Sequence, residues 1–227
     1  MLEPRAAYEL WADTYPAVAH NPVMRAEQSV VEPVLARARV TRALDVGTGS
    51  GRYLPILQST GARVVGVDFS IAMLSKSSGG AARICADARH LPFRRGAFDL
   101  INASLMVGDI ADLRTWLGEL TRVLARGGQL VYSDFHPSWA ERGWRRTFRT
   151  VAGTEHEIAI EAHTIDDHLA AIEAAGLTAL AIREPRVKNE PDAAVQSFRK
   201  QWGNPPVVVA FHAMKKPGRG WGPASNQ

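Results

Sequence analysis

Gly47, Gly49 and Gly51 occupy alternate positions in the stretch A-L-D-V-G-T-G-S-G-R-Y-L from Ala43 to Leu54, and three acids, Asp45, Asp68 and Asp87, fall in or at the ends of three short apolar runs. Glycines so spaced accept positive φ angles and let a ligand reach the backbone with no Cβ in the way. A helix starting behind such a turn offers unpaired N–H groups to a carboxylate or phosphate. The spacing G-x-G-x-G departs from the dinucleotide pattern G-x-G-x-x-G, and an acid inside the preceding strand departs further, so the turn does not favour NAD. Asp68 follows the turn by about twenty residues, where a doubly wound sheet presents a carboxylate to a ribose diol. Acids at three successive strands suit a ligand with a ribose, an amino group and a cationic centre, and they would repel a pyrophosphate. S-adenosylmethionine has that chemistry.

These residues need strands to carry them. Apolar runs predict strands at Ala43–Val46, Arg63–Asp68, Ala82–Asp87, Phe98–Ala103, Gln129–Phe135, Leu177–Ile182 and Val207–Met214. Helical spacing lies between them: Tyr53–Ser59, a helix capped by Ser70 and carrying Met73 and Leu74, Leu113–Leu124 opened by Asp109 and Asp112, and Asp166–Ala175. Gly127 and Gly128 are expected to stop the Leu113 helix, and Asp99 reads as structural. Two helices precede the sheet, one with Tyr8, Trp11, Ala12 and Tyr15 on a stripe and one begun by Pro22. Partial alternation in Thr147–Val151 and His156–His163 around Ala152-Gly153-Thr154 predicts a β-hairpin after the fifth strand. The expected organisation is one α/β domain over residues 1–215, with an N-terminal helical cap (1–40), an insertion (138–164) and a disordered tail (216–227) rich in Gly, Pro, Asn and Ser.

Five ordered motifs, L-D-V-G-T-G-S-G, V-V-G-V-D-F-S, C-A-D-A-R-H-L-P-F, F-D-L-I-N-A-S-L-M and L-A-R-G-G-Q-L-V-Y-S-D-F-H-P, resemble those of class I S-adenosylmethionine-dependent methyltransferases, closest to the small-molecule branch called methyltransferase type 11. The likeness spans about Ala43 to Pro137. It implies a Rossmann-like, doubly wound seven-stranded sheet with its seventh strand antiparallel beside the fifth. It implies S-adenosylmethionine as cofactor and S-adenosylhomocysteine as product, contacted by Tyr15, Asp45, Gly47, Thr48, Gly49, Asp68, Phe69, Met73, Asp87, Ala88, Ser104 and Leu105. Asp87 and Ala88 would hold the adenine, and Tyr15 would approach the methionine end. Tyr8, Trp11, Met106, Arg146 and Arg149 are the implied substrate contacts, with the hairpin as a substrate lid; an edge extension or dimer contact is the other reading of the hairpin. Many relatives have a histidine near Gly108, and its absence here leaves any base to be supplied elsewhere, although transfer from a sulfonium methyl does not depend on one. His136, at the end of the fifth strand, is the first candidate and His163 the second, because imidazole titrates near neutral pH.

The expected reaction is methyl transfer to O, N or C of a small metabolite, of natural-product or quinone type. The rivals are a nucleic-acid or protein methyltransferase and a non-catalytic cofactor-binding partner. Asn102-Ala103-Ser104-Leu105 lacks the Asn-Pro-Pro turn of enzymes that methylate base or amide nitrogens, which disfavours those substrates. Arg142, Arg145, Arg146 and Arg149 interleave with Trp139, Trp144 and Phe148, which points to an anionic or aromatic small acceptor rather than nucleic acid. No metal site is expected. A chain of 227 residues with net charge +4 and no long apolar run is expected to be cytoplasmic, without membrane contact, as monomer or homodimer. The single cysteine, Cys85, is expected to be a buried free thiol.

Overall fold

The computed structural model describes residues 1–216; the tail expected at 216–227 lies, apart from Lys216, outside the described residues. In chain order the elements are α1 (Pro4–Trp11), α2 (Pro22–Ala36), β1 (Arg42–Val46), α3 (Leu54–Ser59), β2 (Arg63–Asp68), α4 (Ile71–Lys76), β3 (Ala82–Cys85), β4 (Phe98–Ser104), a 3-10 turn (Val107–Asp109), α5 (Leu113–Val123), β5 (Leu124–Phe135), α6 (Ser138–Glu141), β6 (Thr147–Arg149), β7 (Glu155–Glu157), α7 (Ile165–Ala174), β8 (Leu177–Arg183), α8 (Ala193–Trp202) and β9 (Val208–Lys215). The main sheet has the order β3-β2-β1-β4-β5-β9-β8. Its first five strands are parallel, and β9 runs antiparallel to both β5 and β8. The chain leaves β1 toward β2 on one side and returns to β4 on the other, so the switch point where such sheets bind ligands lies at the carboxyl ends of β1 and β4.

Strand periodicity divides the apolar residues between two layers. Leu44, Val46, Ile101, Ala103, Leu130, Tyr132 and Phe211 pack with Trp116, Leu117 and Leu120 of α5 and with Ile172 of α7. Ala43, Leu100, Val131 and Ala210 pack with Val31 and Leu35 of α2 and with Leu54 and Leu57 of α3. Local chemistry sets the helix starts. Asn21 accepts from the Met24 N–H with Pro22 following, Ser70 accepts from Met73 N, Asp112 from Thr115 N, and Thr164 with Asp167 forms a reciprocal capping box.

Three expectations change. α5 ends at Val123, before Gly127 and Gly128, which lie inside β5 at an irregularity where the register with β4 jumps from Phe98↔Leu124 to Leu100↔Gln129. Gly127 has φ +72°, and a Cβ on Gly128 would sit 2.8 to 3.0 Å from Leu124 and from backbone oxygens, so the pair shapes a bulge rather than a helix stop. Cys85 is exposed, because β3 is the edge strand and the thiol stands at its carboxyl end. The hairpin forms but is short, three residues a side. It is fastened to the N-terminus: Leu2 pairs with Ile158, the Thr14 hydroxyl donates to the Arg149 carbonyl at 2.8 Å, and Trp11 stacks on Phe148 at 5.1 Å. Among the described residues no helix is long and apolar enough to cross a membrane.

Candidate functional site

At the switch point the turn after β1 folds back on itself. Gly47 and Gly49 have φ +66° and +54°, conformations in which an L side chain is strained. A Cβ on Gly47 would meet Met106 at 2.9 Å, whereas a Cβ on Gly49 would meet nothing within 4 Å. Gly49 therefore leaves open room beside its backbone. Gly66 in β2 also belongs to this arrangement, because a Cβ there would strike the Thr48 side chain at 2.9 Å. Thr48 packs on that bare strand and donates its N–H to the Val67 carbonyl.

Below the turn runs a buried polar chain. The Thr48 hydroxyl donates to Asp45 Oδ2 at 2.6 Å, the Asn102 amide donates to Asp45 Oδ1 at 2.7 Å, and the Ser104 hydroxyl donates to Asn102 Oδ1 at 3.0 Å. Asp45 thus braces the turn against β4, and burial pushes its acid up to about 6. Asp68 sits at the end of β2, with Oδ2 accepting from Gly49 N at 2.8 Å and Oδ1 from Ser70 N at 2.9 Å. Burial raises this acid too, to about 6. Leu105, the one non-glycine at positive φ (+54°) among the described residues, follows β4 directly and donates its N–H to Ser133. Strain of this kind collects at ligand sites.

These elements surround a cavity of about 410 Å³. Of the residues named from sequence, Gly47, Gly49, Asp68, Phe69, Met73, Asp87, Ala88, Ser104, Leu105, Met106, Tyr8 and Tyr15 line it. Asp45 and Thr48 stand behind the lining and shape it. At one end the Asp87 carboxylate is paired with the Arg89 guanidinium, which holds its acid below the usual range. Tyr8 and Asp109 line the cavity too, and burial raises the acids of both. The room beside Gly49 and the buried Asp68 carboxylate lining the cavity fit a ligand bearing a diol.

Other named residues lie elsewhere. Trp11 packs behind Tyr8 and Tyr15, at 6.0 and 4.8 Å between ring centroids. His136 is off the cavity, with Nδ1 2.8 Å from the Ser138 hydroxyl and Nε2 2.9 Å from Glu184. His163 Nε2 lies 2.7 Å from the Ile110 carbonyl. Arg149 is exposed and paired with Glu155. Arg146 is buried, 4% exposed, with Nη2 2.6 Å from Asp109 Oδ1 and 3.1 Å from the Tyr8 hydroxyl. Glu3, Arg5, Arg89, Asp109 and Ile110 line the cavity without having been singled out for it. Asp109 reads in sequence as a helix-opening acid, and only the fold brings it to the cavity lining, where it is paired with Arg146, 37 residues on.

Comparison with known proteins agrees with this architecture. Residues 44–132 match the family model described as a methyltransferase domain. A demethylmenaquinone methyltransferase from Thermus thermophilus is 42% identical over 105 residues, covering 42% of this chain and 48% of the relative. The chain spans about half the length of the curated relatives it matches first. An S-adenosylmethionine-dependent methyltransferase from Mesorhizobium loti superposes with TM-score 0.63 at 20% identity, covering 83% of this chain and 97% of that one. Geranyl diphosphate C-methyltransferase from Streptomyces coelicolor superposes with TM-score 0.60 at 16% identity, covering 85% and 77%. The resemblance to class I methyltransferases, and the fold that it implies, are borne out.

Proposed function

We propose that this chain is an S-adenosylmethionine-dependent methyltransferase that methylates O, N or C of a small, ring-bearing metabolite of quinone or natural-product type and releases S-adenosylhomocysteine. The observation that carries the reading is Asp68, a buried carboxylate at the end of β2 that binds the open glycine turn through Gly49 N and faces the cavity. Asp68 would receive the ribose diol, Asp87 and Ala88 the adenine, and Gly47, Gly49 and Tyr15 the methionine end. When bound, the cofactor supplies a methyl group on a sulfonium, already a good electrophile. The protein's part is to hold acceptor and methyl carbon in line and exclude water, and such positioning is worth about 7 to 11 kcal/mol of a barrier.

An aromatic acceptor is better supported than an anionic one. Arg145 pairs with Glu157, Arg146 with Asp109 and Arg149 with Glu155, so each of these cations already has an acid partner. Tyr8, Tyr15 and Phe69 meanwhile offer ring faces and edges to the cavity. The relationship to a demethylmenaquinone methyltransferase points the same way. Calorimetric titration tests the reading: S-adenosylhomocysteine and S-adenosylmethionine should bind in the micromolar range and NAD should not. Binding of NAD without response to S-adenosylhomocysteine would refute it.

A further inference from the structure

Resting on that reading, we propose that Asp109 is the catalytic residue that binds the methyl acceptor, accepting a hydrogen bond from a hydroxyl on the acceptor's ring and then its proton. Asp109 lines the cavity, with 9% of its side chain exposed. A carboxylate has about four lone-pair positions. Arg146 Nη2 occupies one on Oδ1 at 2.6 Å and the Tyr8 hydroxyl engages another, which fixes the carboxylate, balances its charge and leaves two positions for an acceptor.

The surroundings select the ligand chemistry. Arg5 and Arg89 also line the cavity, Arg89 paired with Asp87, but Asp68 lies near enough to Asp109 to be affected electrostatically by it, so an anionic group beside these two acids would meet like charge. A neutral hydroxyl donor would not. Tyr8 stands beside Asp109 with its ring edge-on to Phe69 at 5.8 Å, which gives a planar ring two aromatic neighbours. Backbone sterics make Asp109 the member of its turn that can act. Val107 is apolar and buried, and a side chain at Gly108 would meet Ile160 at 2.8 Å, since the segment after the hairpin fills that space. His136 and His163 have ring nitrogens already engaged away from the cavity.

The step balances simply. The O–H bond breaks and leaves its electron pair on oxygen, and the proton passes to Asp109. The electron-rich oxygen, or a ring carbon conjugated with it, forms the bond to the methyl group as the sulfur–methyl pair leaves with sulfur. A carboxylate raised by burial keeps a transferred proton better than an exposed one.

The test uses the full chain saturated with S-adenosylhomocysteine, with 2-naphthol as probe and 2-methoxynaphthalene as its control without a donor. The parent should bind 2-naphthol at least about tenfold more tightly than the methyl ether, the difference a hydrogen bond to a charged group makes. Bound 2-naphthol, a photoacid, should emit as naphtholate at neutral pH. Asp109→Asn should lose most of that preference and shift the emission to neutral naphthol while still binding S-adenosylhomocysteine. If Asp109→Asn does not fold because Arg146 is left unpaired, Asp109→Asn with Arg146→Gln restores charge balance and should give the same result. Equal preference for 2-naphthol in parent and variant, or no 2-naphthol binding by a parent that binds S-adenosylhomocysteine, overturns the assignment and leaves the methyltransferase reading standing. Failure of the parent to bind S-adenosylhomocysteine removes both.

Discussion

Replacing Asp68 by asparagine changes charge and little else in shape, and the structure allows its consequences to be worked through. The native carboxylate accepts from Gly49 N at 2.8 Å and from Ser70 N at 2.9 Å. An amide can serve one of these donors and must turn its own N–H2 toward the other, so about one charge-assisted hydrogen bond is lost, about 1.5 to 3 kcal/mol. Part of this is returned because ionising Asp68 in the fold is itself unfavourable, its acid being raised to about 6 by burial. The sign follows from linkage: the native state holds this proton to higher pH than the unfolded chain, so Asp68 favours folding below the ordinary carboxylate range near pH 4 and loses that contribution as pH rises through about 6. The net loss at neutral pH should stay below about 2 kcal/mol, which caps the fall in Tm at roughly 4 to 8 °C for a chain of this size. Cofactor binding should suffer more, because the ribose loses a charged acceptor; about 1.5 to 3 kcal/mol corresponds to roughly 10- to 150-fold in Kd. Affinity of the parent for S-adenosylhomocysteine should also rise as pH increases through about 6, where the carboxylate ionises, and Asp68→Asn should flatten most of that rise. Calorimetry across this pH range with parallel thermal melts makes the measurement. A folded variant with parental Kd and a parental pH profile would show that Asp68 only braces the turn.

Gly49→Ala would place a methyl group where the protein leaves open space at φ +54°, so stability should fall by about 1 to 2 kcal/mol while S-adenosylhomocysteine binding weakens at least about tenfold; parental affinity in calorimetry would mean that no ligand approaches this turn. Glu27→Gln should be the more damaging change to the fold, because Glu27 is fully buried and binds Arg52 at 2.8 Å, the Tyr53 hydroxyl at 2.7 Å and the Ser133 hydroxyl at 2.9 Å. Breaking such a buried pair costs about 3 to 5 kcal/mol, or roughly 6 to 20 °C in Tm, and a melt shifted by less than about 2 °C would contradict that accounting.

Much of the cavity around the glycine turn was legible in the chain because its signals are local. The alternation that puts Leu44 and Val46 on one face and Ala43 on the other, the caps Ser70 and Asp112, and the glycines that accept positive φ all act within a few residues. So does the placing of Asp68, since a strand that enters a turn presents its last side chain at the sheet's edge. The surroundings of Tyr8 and Asp109 depend on distant segments. Cys85 reads as core because its neighbours are apolar, yet β3 is an edge strand and no local pattern encodes strand order. His136 sits at the end of β5 as read, but its ring is drawn away by Glu184, 48 residues further on. Arg146 reads as a substrate contact in an arginine-rich segment, but the hairpin folds against α1 and buries it between Tyr8 and Asp109. Sequence by itself determined the strands, the glycine turn and the acids beside it, because hydrogen-bonded periodicity and backbone sterics are short-range. Which charges are paired, which histidines are engaged and which acids line the cavity was decided only by tertiary structure, because burial and ion pairing depend on what the rest of the chain brings alongside.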